Sequence, residues 1–260
     1  MVRSVRWART LAHVALAFLI LRLVFPRSSR ERRREIISWW SGKLLRVLAI
    51  ELVVEGSAPT ENIPMMVAPN HVSWLDTFAI SSVRPTRFIA KSEIRDWPIA
   101  GWVAQKAGTL FIRRAKRHDT ARINELVHAA LAEGDCVGFF PEGTTSEGDK
   151  LLKFHSSLFE PAVANAAPVQ PVAIRYEHLD GTLCRAMSFV GDLSFQQSLG
   201  LVIRQKRTVA RVQFATPVDP RGLNRREVAR IAHERVASLL GLPAAGMAPT
   251  PQSGPPGAPL

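Results

Sequence analysis

Cysteine is scarce. The 260-residue chain has two, Cys136 and Cys184, which lie far apart and outside any C-x-x-C pair, so neither a disulfide framework nor a cysteine zinc site is indicated. A reducing cytoplasm is the default compartment, and no metal or cofactor is expected. No internal repeat is visible. The P-loop, G-x-G-x-x-G and G-x-S-x-G patterns are all missing, so nucleotide hydrolysis and α/β-hydrolase chemistry lose their usual markers. Acidic residues are few at one end: residues 1 to 46 hold two against eleven Lys or Arg, which leaves the other 214 residues only +3 of the net +12. A positive face confined to one end calls for an anionic partner there, either nucleic acid or a membrane surface.

The apolar stretch among those charges excludes nucleic acid. Leu11 to Leu21 reads LAHVALAFLIL, and Leu23-Val24-Phe25 continues it past Arg22. As a helix, fifteen residues at ~1.5 Å each give about 22 Å, short of the ~30 Å hydrocarbon core, so one unaided crossing is marginal. Arg3, Arg6 and Arg9 precede the run, and Arg22, Arg27, Arg30 and Arg32 to Arg34 follow it. Positive charge on both flanks favours sending neither across, which places both on the cytoplasmic face of the inner membrane. A signal peptide shares the basic start and short apolar core, but no A-x-A site follows. The next segment, Arg30 to Ile50, mixes Trp39, Trp40, Leu44 and Leu45 with basic residues. It reads as a basic amphipathic helix in the headgroup layer, or else as a surface helix packed on its own domain.

Three regions emerge: a membrane-associating helical segment over 1–50, a catalytic domain over 51–241, and a Pro/Gly/Ala/Ser-rich tail over 242–260 whose composition predicts disorder. Within 51–241, short β-rich runs alternate with helical stretches, which predicts an α/β fold with a mixed, mostly parallel sheet flanked by helices. Expected strands are Met65–Ala68, Arg87–Ala90, Thr109–Arg113, Cys136–Phe140, Val169–Tyr176, Met187–Val190 and Val209–Ala215. Expected helices are Trp74–Ser82, Ile99–Ala107, Asp119–Ala132, Ser157–Asn165 and Arg225–Leu240, the last capped by Asn224.

Three segments carry candidate chemistry. In Val67-Ala-Pro-Asn-His71-Val-Ser-Trp-Leu-Asp76, a strand runs into a turn and then a helix, which places His71 at the carboxyl edge of the sheet. Asp76, five residues on, can fold back to the imidazole, fix its tautomer and leave the other nitrogen as general base. The same spacing from Ser73 to Asp76 also satisfies an S-x-x-D capping box, in which Asp76 merely caps a helix. In Phe139-Phe-Pro-Glu142-Gly143-Thr144, a strand ends in a polar turn where Glu142 either orients a substrate head or is solvated in a β-turn. In Gly108-Thr-Leu-Phe-Ile-Arg113-Arg114, two guanidiniums end a strand. Adjacent residues point opposite ways, so at most one need face a site and clamp an anion.

Taken in order, N-H-V-S-W-L-D, G-T-L-F-I-R-R, F-P-E-G-T and V-Q-P-V resemble the four blocks of the glycerolipid acyltransferase family, which includes bacterial 1-acylglycerol-3-phosphate acyltransferases. The resemblance spans roughly Val54 to Ile174. It implies a transfer of a fatty acyl chain from acyl-CoA or acyl carrier protein to a lysolipid hydroxyl. His71 would be the base, Asp76 its orienting partner and Arg114 the phosphate-binding arginine, with Glu142 and Gly143 matching the third block and Pro171 the fourth. Arg113 stands where the family commonly has an acidic residue, and Arg113, Thr144 and Lys91 are further substrate-binding candidates. A thioester is already activated, so no Ser or Cys nucleophile is needed.

Two departures bear on the acceptor. Phosphatidate-forming members commonly place Arg after E-G-T, where this chain has Thr145. They often read P-F-K downstream, where it has Lys153-Phe154-His155. The E-G-T-T-S form is more similar to lyso-ornithine-lipid acyltransferases. The expected acceptor is 1-acyl-sn-glycerol-3-phosphate, with lyso-ornithine lipid as the alternative. A lipid-binding protein without turnover and a hydrolase using the same dyad are the other classes the residues allow.

Overall fold

The computed structural model describes residues 2–56, 63–97, 99–112 and 118–243. Two long helices open the chain. The first, α1 (Val2–Leu19), continues through a π turn (Ile20–Val24) and a 3₁₀ turn (Phe25–Arg27), where Pro26 ends it. After Ser29, whose side chain accepts the N–H of Arg32 at 3.2 Å, α2 (Arg30–Val47) folds back against it. Then follow β1 (Ile50–Gly56), β2 (Met66–Pro69), α3 (Asp76–Val83), β3 (Thr86–Lys91), α4 (Ala100–Lys106), β4 (Leu110–Ile112), α5 (His118–Ala132) and β5 (Cys136–Gly138). The chain ends through α6 (Glu160–Ala164), β6 (Val169–Glu177), α7 (Phe195–Arg204), β7 (Thr208–Phe214) and α8 (Arg225–Leu240).

The sheet has the order β1-β7-β6-β2-β5-β3-β4. From β6 to β4 every pairing is parallel, while β7 runs antiparallel to β6 and carries β1 parallel to itself. This is the mixed, mostly parallel sheet expected. Helices cover both faces, and each closes a separate apolar core. One core joins Leu44 and Leu45 from α2 and Leu48 just after it, Ala79 and Ile80 from α3, and Val202 and Ile203 from α7 to Val172, Ile174 and Tyr176 of β6. The other joins Val127 and Leu131 of α5 and Val228, Ala232 and Val236 of α8 to Ala173, Val137 and Phe139. Val172, Ile174 and Tyr176 face one core and Ala173 the other, the period of two that a strand imposes.

Expected elements differ from observed ones in instructive places. Met187–Val190 is not a strand: Met187 N–H and Ser188 N–H bond back to Cys184 and Arg185 carbonyls at 3.1 Å, closing a 3₁₀ turn at Arg185–Met187. The helix expected at Ser157–Asn165 divides into a 3₁₀ turn, Ser156–Phe159, and the short α6. Unforeseen are β1, whose Glu51 and Glu55 mask its pattern, and α7, held by a Ser194–Gln197 capping box. Asn224 caps α8 as expected, and Glu227 completes a capping box with it. From residue 244 the expected tail lies outside the described residues.

The helical hairpin is fastened at both ends. His13 and Trp40 stack with centroids 4.7 Å apart, and each ring nitrogen bonds the other residue's carbonyl. Near the start of α1, the Arg6 guanidinium donates to the carbonyls of Ile203, Gln205 and Lys206, at the end of α7. Near the start of α2, Arg34 pairs with Asp135 at 2.7 Å and Arg30 with Glu133 at 3.0 Å, and Arg87 of β3 joins both acids. By length and composition the helical stretch Arg3–Arg27 can cross a membrane: its most apolar 18-residue window has mean hydropathy 1.8, and 22% of that window is buried. Its exposed side carries Trp7, Leu11, Leu16, Leu19, Leu23 and Val24.

Candidate active site

Because β2, β3, β4 and β5 are parallel, their carboxyl ends share one edge of the sheet, where ligand sites of open α/β folds form. β2 is short, and β6 beside it runs on for five residues past the Pro69–Val172 pair. The chain leaving β2 is stitched to this overhang. Asn70, 2% exposed, uses its side-chain amide as a substitute strand: Nδ2 donates to Ile174 O at 3.0 Å and Oδ1 accepts Ile174 N–H at 2.7 Å. His71 then enters the turn.

Asp76 opens α3 and is wholly buried. Its Oδ2 accepts three donors: His71 Nδ1 at 2.8 Å, Val72 N at 2.7 Å and Ser73 N at 2.9 Å. Its Oδ1 accepts the Tyr176 hydroxyl at 2.8 Å. Four donors suit a carboxylate in its acceptor-only form, and they leave the Nδ1 proton no role but to donate. The tautomer is therefore fixed with Nε2 as the basic nitrogen. Among the described residues Nε2 has no hydrogen-bond partner, and the side chain is 19% exposed. The capping-box alternative is half realised: Ser73 N–H does reach Asp76, but the buried Ser73 hydroxyl has no hydrogen-bond partner among the described residues.

The imidazole lies on the ring of Phe140, with centroids 3.6 Å apart, and Phe140 stacks in turn on Phe88. Glycine at 138 makes this possible, because a Cβ there would sit 2.6 Å from the Phe88 ring. Glu142 is 3% exposed, and both its oxygens are committed to backbone: Oε1 accepts His71 N–H at 2.7 Å and Oε2 accepts Leu152 N–H at 3.0 Å. Burial pushes its carboxyl up to about 7. The two N–H donors oppose the rise and nearby Asp76 adds to it. Gly143 turns the chain with φ +72°, and Thr145 Oγ1 donates to the Phe189 carbonyl. Ser146 N–H bonds His71 O and Phe189 N–H bonds Val72 O, at 2.8 and 2.9 Å.

Of the candidate residues, His71 and Asp76 meet directly, and Glu142 reaches His71 through its backbone. Gly143 and Thr144 follow Glu142 in the same turn. Lys91 closes β3, exposed, in register with Ile112. Arg113 and Arg114 lie outside the described residues. Asn70 and Tyr176 were not singled out from sequence. For Asn70 the sign was a polar residue at the end of an apolar strand. For Tyr176 only the strand assignment was available.

Residues 51–175 match the family model described as "Acyltransferase". The chain is 39% identical over 241 residues to a lyso-ornithine lipid O-acyltransferase of Pseudomonas aeruginosa, covering 90% of this chain and 92% of that one. It is 41% identical over 188 residues to a 1-acyl-sn-glycerol-3-phosphate acyltransferase of Neisseria meningitidis serogroup B, covering 72% and 73%. Its fold matches the crystal structure of the 1-acyl-sn-glycerophosphate acyltransferase PlsC of Thermotoga maritima with a TM-score of 0.63 at 24% identity, over 92% of this chain and 98% of that one. With a relative 39% identical and matched along nearly its whole length, and the family model matching residues 51–175, the chain belongs to the acyltransferase family.

Proposed function

We propose that the protein moves a fatty acyl group from a thioester, acyl-CoA or acyl carrier protein, to the hydroxyl of a lysolipid at the cytoplasmic face of the inner membrane. The observation that carries this reading is the His71–Asp76 pair, with Nδ1 committed to a buried carboxylate and Nε2 left for a substrate hydroxyl. Nε2 takes the hydroxyl proton as the oxygen attacks the thioester carbonyl. The tetrahedral intermediate collapses, the C–S bond breaks, and the imidazolium returns its proton to the thiolate, giving an ester and a free thiol. Asp76 steadies the imidazolium between the two transfers.

For the acceptor we propose 1-acyl-sn-glycerol-3-phosphate, as in the name of the Neisseria relative. A second reading, lyso-ornithine lipid, draws on Thr145. Its hydroxyl is spent on the Phe189 carbonyl, and it supplies no cation, while the Pseudomonas relative so named matches over nearly its full length. The exposed apolar side of Arg3–Arg27 and the basic residues flanking it support docking on an anionic lipid surface.

The test is acyl transfer by purified protein in vesicles, offered a labelled thioester and each acceptor in turn. Phosphatidic acid supports the first reading and diacylated ornithine lipid the second. Free fatty acid released without an acceptor would indicate a hydrolase. His71→Ala is expected to abolish transfer with the fold intact, and a folded variant of normal rate would refute the mechanism. Removing residues 1–27, which leaves the core side chains of α2 in place, is expected to release the protein from vesicles in flotation.

A further inference from the structure

We propose that Tyr176 is a positioning residue of the dyad: its hydroxyl, donated to Asp76 Oδ1, sets how firmly Asp76 holds a proton on His71. This rests on the dyad reading above. Tyr176 is 1% exposed and sits on the β6 overhang, directly behind the carboxylate, 2.8 Å from Oδ1. Among the described residues it is the sole donor to that oxygen, whereas Oδ2 has three. The two oxygens share one negative charge. A hydrogen bond drawn to Oδ1 therefore withdraws charge from the oxygen that faces His71, and in a dry site that transfer is felt strongly. The phenol touches no position a substrate can reach, so it acts only through Asp76.

The surroundings leave few competitors for this role. Among the described residues after β5, Glu142 is close enough to feel the charge of Asp76, and it bonds the backbone of His71, not the ring. Beside Tyr176, buried Cys184 donates its N–H to the Tyr176 carbonyl at 2.9 Å, and burial pushes its thiol up. Arg175, Glu177 and Arg211 occupy the opposite face of β6 and β7, where they pair with one another. Lys43 and Arg46 of α2 and Arg204 of α7 are exposed. Burial and the neighbouring Asp76 charge hold the phenol well above its ordinary range, so it remains a neutral donor at any assay pH.

Tyr176 is also the one tyrosine in the chain, so a tyrosine analogue incorporated throughout the protein alters this position alone. Two perturbations then push in opposite directions. In Tyr176→Phe the donor is gone, Asp76 carries more charge toward His71, and the imidazole proton is released at higher pH. Replacement by 3-fluorotyrosine makes the phenol a stronger donor, and the proton is released at lower pH.

The experiment is kcat/KM for acyl transfer across about pH 5.5 to 9, expressed as the ratio of altered to unaltered protein so that Glu142, common to both, cancels to first order. For Tyr176→Phe the ratio is expected to be roughly three- to tenfold below one on the acid limb and to return to about one at alkaline pH, with KM unchanged. The fluorotyrosine protein is expected to show the reverse slope. A ratio flat with pH, whether at one or uniformly lowered, overturns the proposal, as does movement of both limbs in the same direction. If Tyr176→Phe does not fold, an unmoved limb in the fluorotyrosine protein overturns it alone. His71→Ala is run alongside: retained transfer there refutes the dyad itself, whereas its loss together with flat ratios refutes only the role of Tyr176.

Discussion

Replacing Glu142 by Gln tests the most heavily buried acid outside the dyad among the described residues. In the folded chain its carboxyl is pushed to about 7 from an ordinary 4.5. The unfolded chain therefore gives up this proton first as pH rises, and between those values it binds fewer protons than the folded one. Stability falls with rising pH in that window: it is fully present below the unfolded value and is lost on passing through the folded one. At ~1.4 kcal/mol per unit, the wild-type protein loses about 3 kcal/mol from this group between roughly pH 4 and pH 8. Gln keeps one oxygen for the His71 N–H but turns an amide N–H₂ toward the Leu152 N–H, a buried donor against a donor costing about 1–3 kcal/mol at every pH. Denaturant unfolding at a series of pH values is expected to show Glu142→Gln less stable than wild type at acid pH, with the gap closing near pH 8. Parallel stability curves for the two proteins would refute the assignment of Glu142 as a buried, proton-holding brace.

Asp76→Asn keeps the shape of the side chain but removes the charge that steadies the imidazolium. It is expected to lower kcat by about three orders of magnitude, roughly 4 kcal/mol, with little change in KM, as read by steady-state acyl transfer. Asn70→Ala leaves the N–H and C=O of Ile174 without partners and is expected to cost about 2–4 kcal/mol in denaturant unfolding. Thr145→Val removes the tether to Phe189 and is expected to lower stability by about 1 kcal/mol. If Thr145 serves that tether alone, the ratio of rates on the two acceptors stays as in wild type, and a changed ratio would show that Thr145 also touches the acceptor.

Much of the sheet was legible because its central strands are buried on both faces and read as apolar runs, Met66 to Ala68 and Val172 to Ile174 among them. The first strand was not: it lies at the sheet edge with Glu51 exposed and Glu55 half-buried on it, and its pairing with β7 joins residues 158 positions apart. Long-range register has no local signature. Site residues divide in the same way. His71 and Asp76 are five positions apart on one turn, so their spacing allowed the contact, and the other motifs beside it decided between that and a helix cap. Tyr176 comes to Asp76 from exactly 100 positions away, and only because β6 outruns β2. Glu142 was legible as a site residue, but its two bonds to backbone N–H groups depend on how the turn after β5 meets the turn after β2.

The fastening of the helical hairpin has a mechanical consequence. Arg6 grips three carbonyls at the end of α7, and Arg30 and Arg34 clasp Glu133 and Asp135 at the opposite end of the hairpin. Helices held at two separated points resist swivelling, so hairpin and sheet move as one body. Any surface that receives Trp7, Leu11 and Leu19 thereby also fixes the tilt and height of His71 above it, as the sole of a plane sets the depth of its blade.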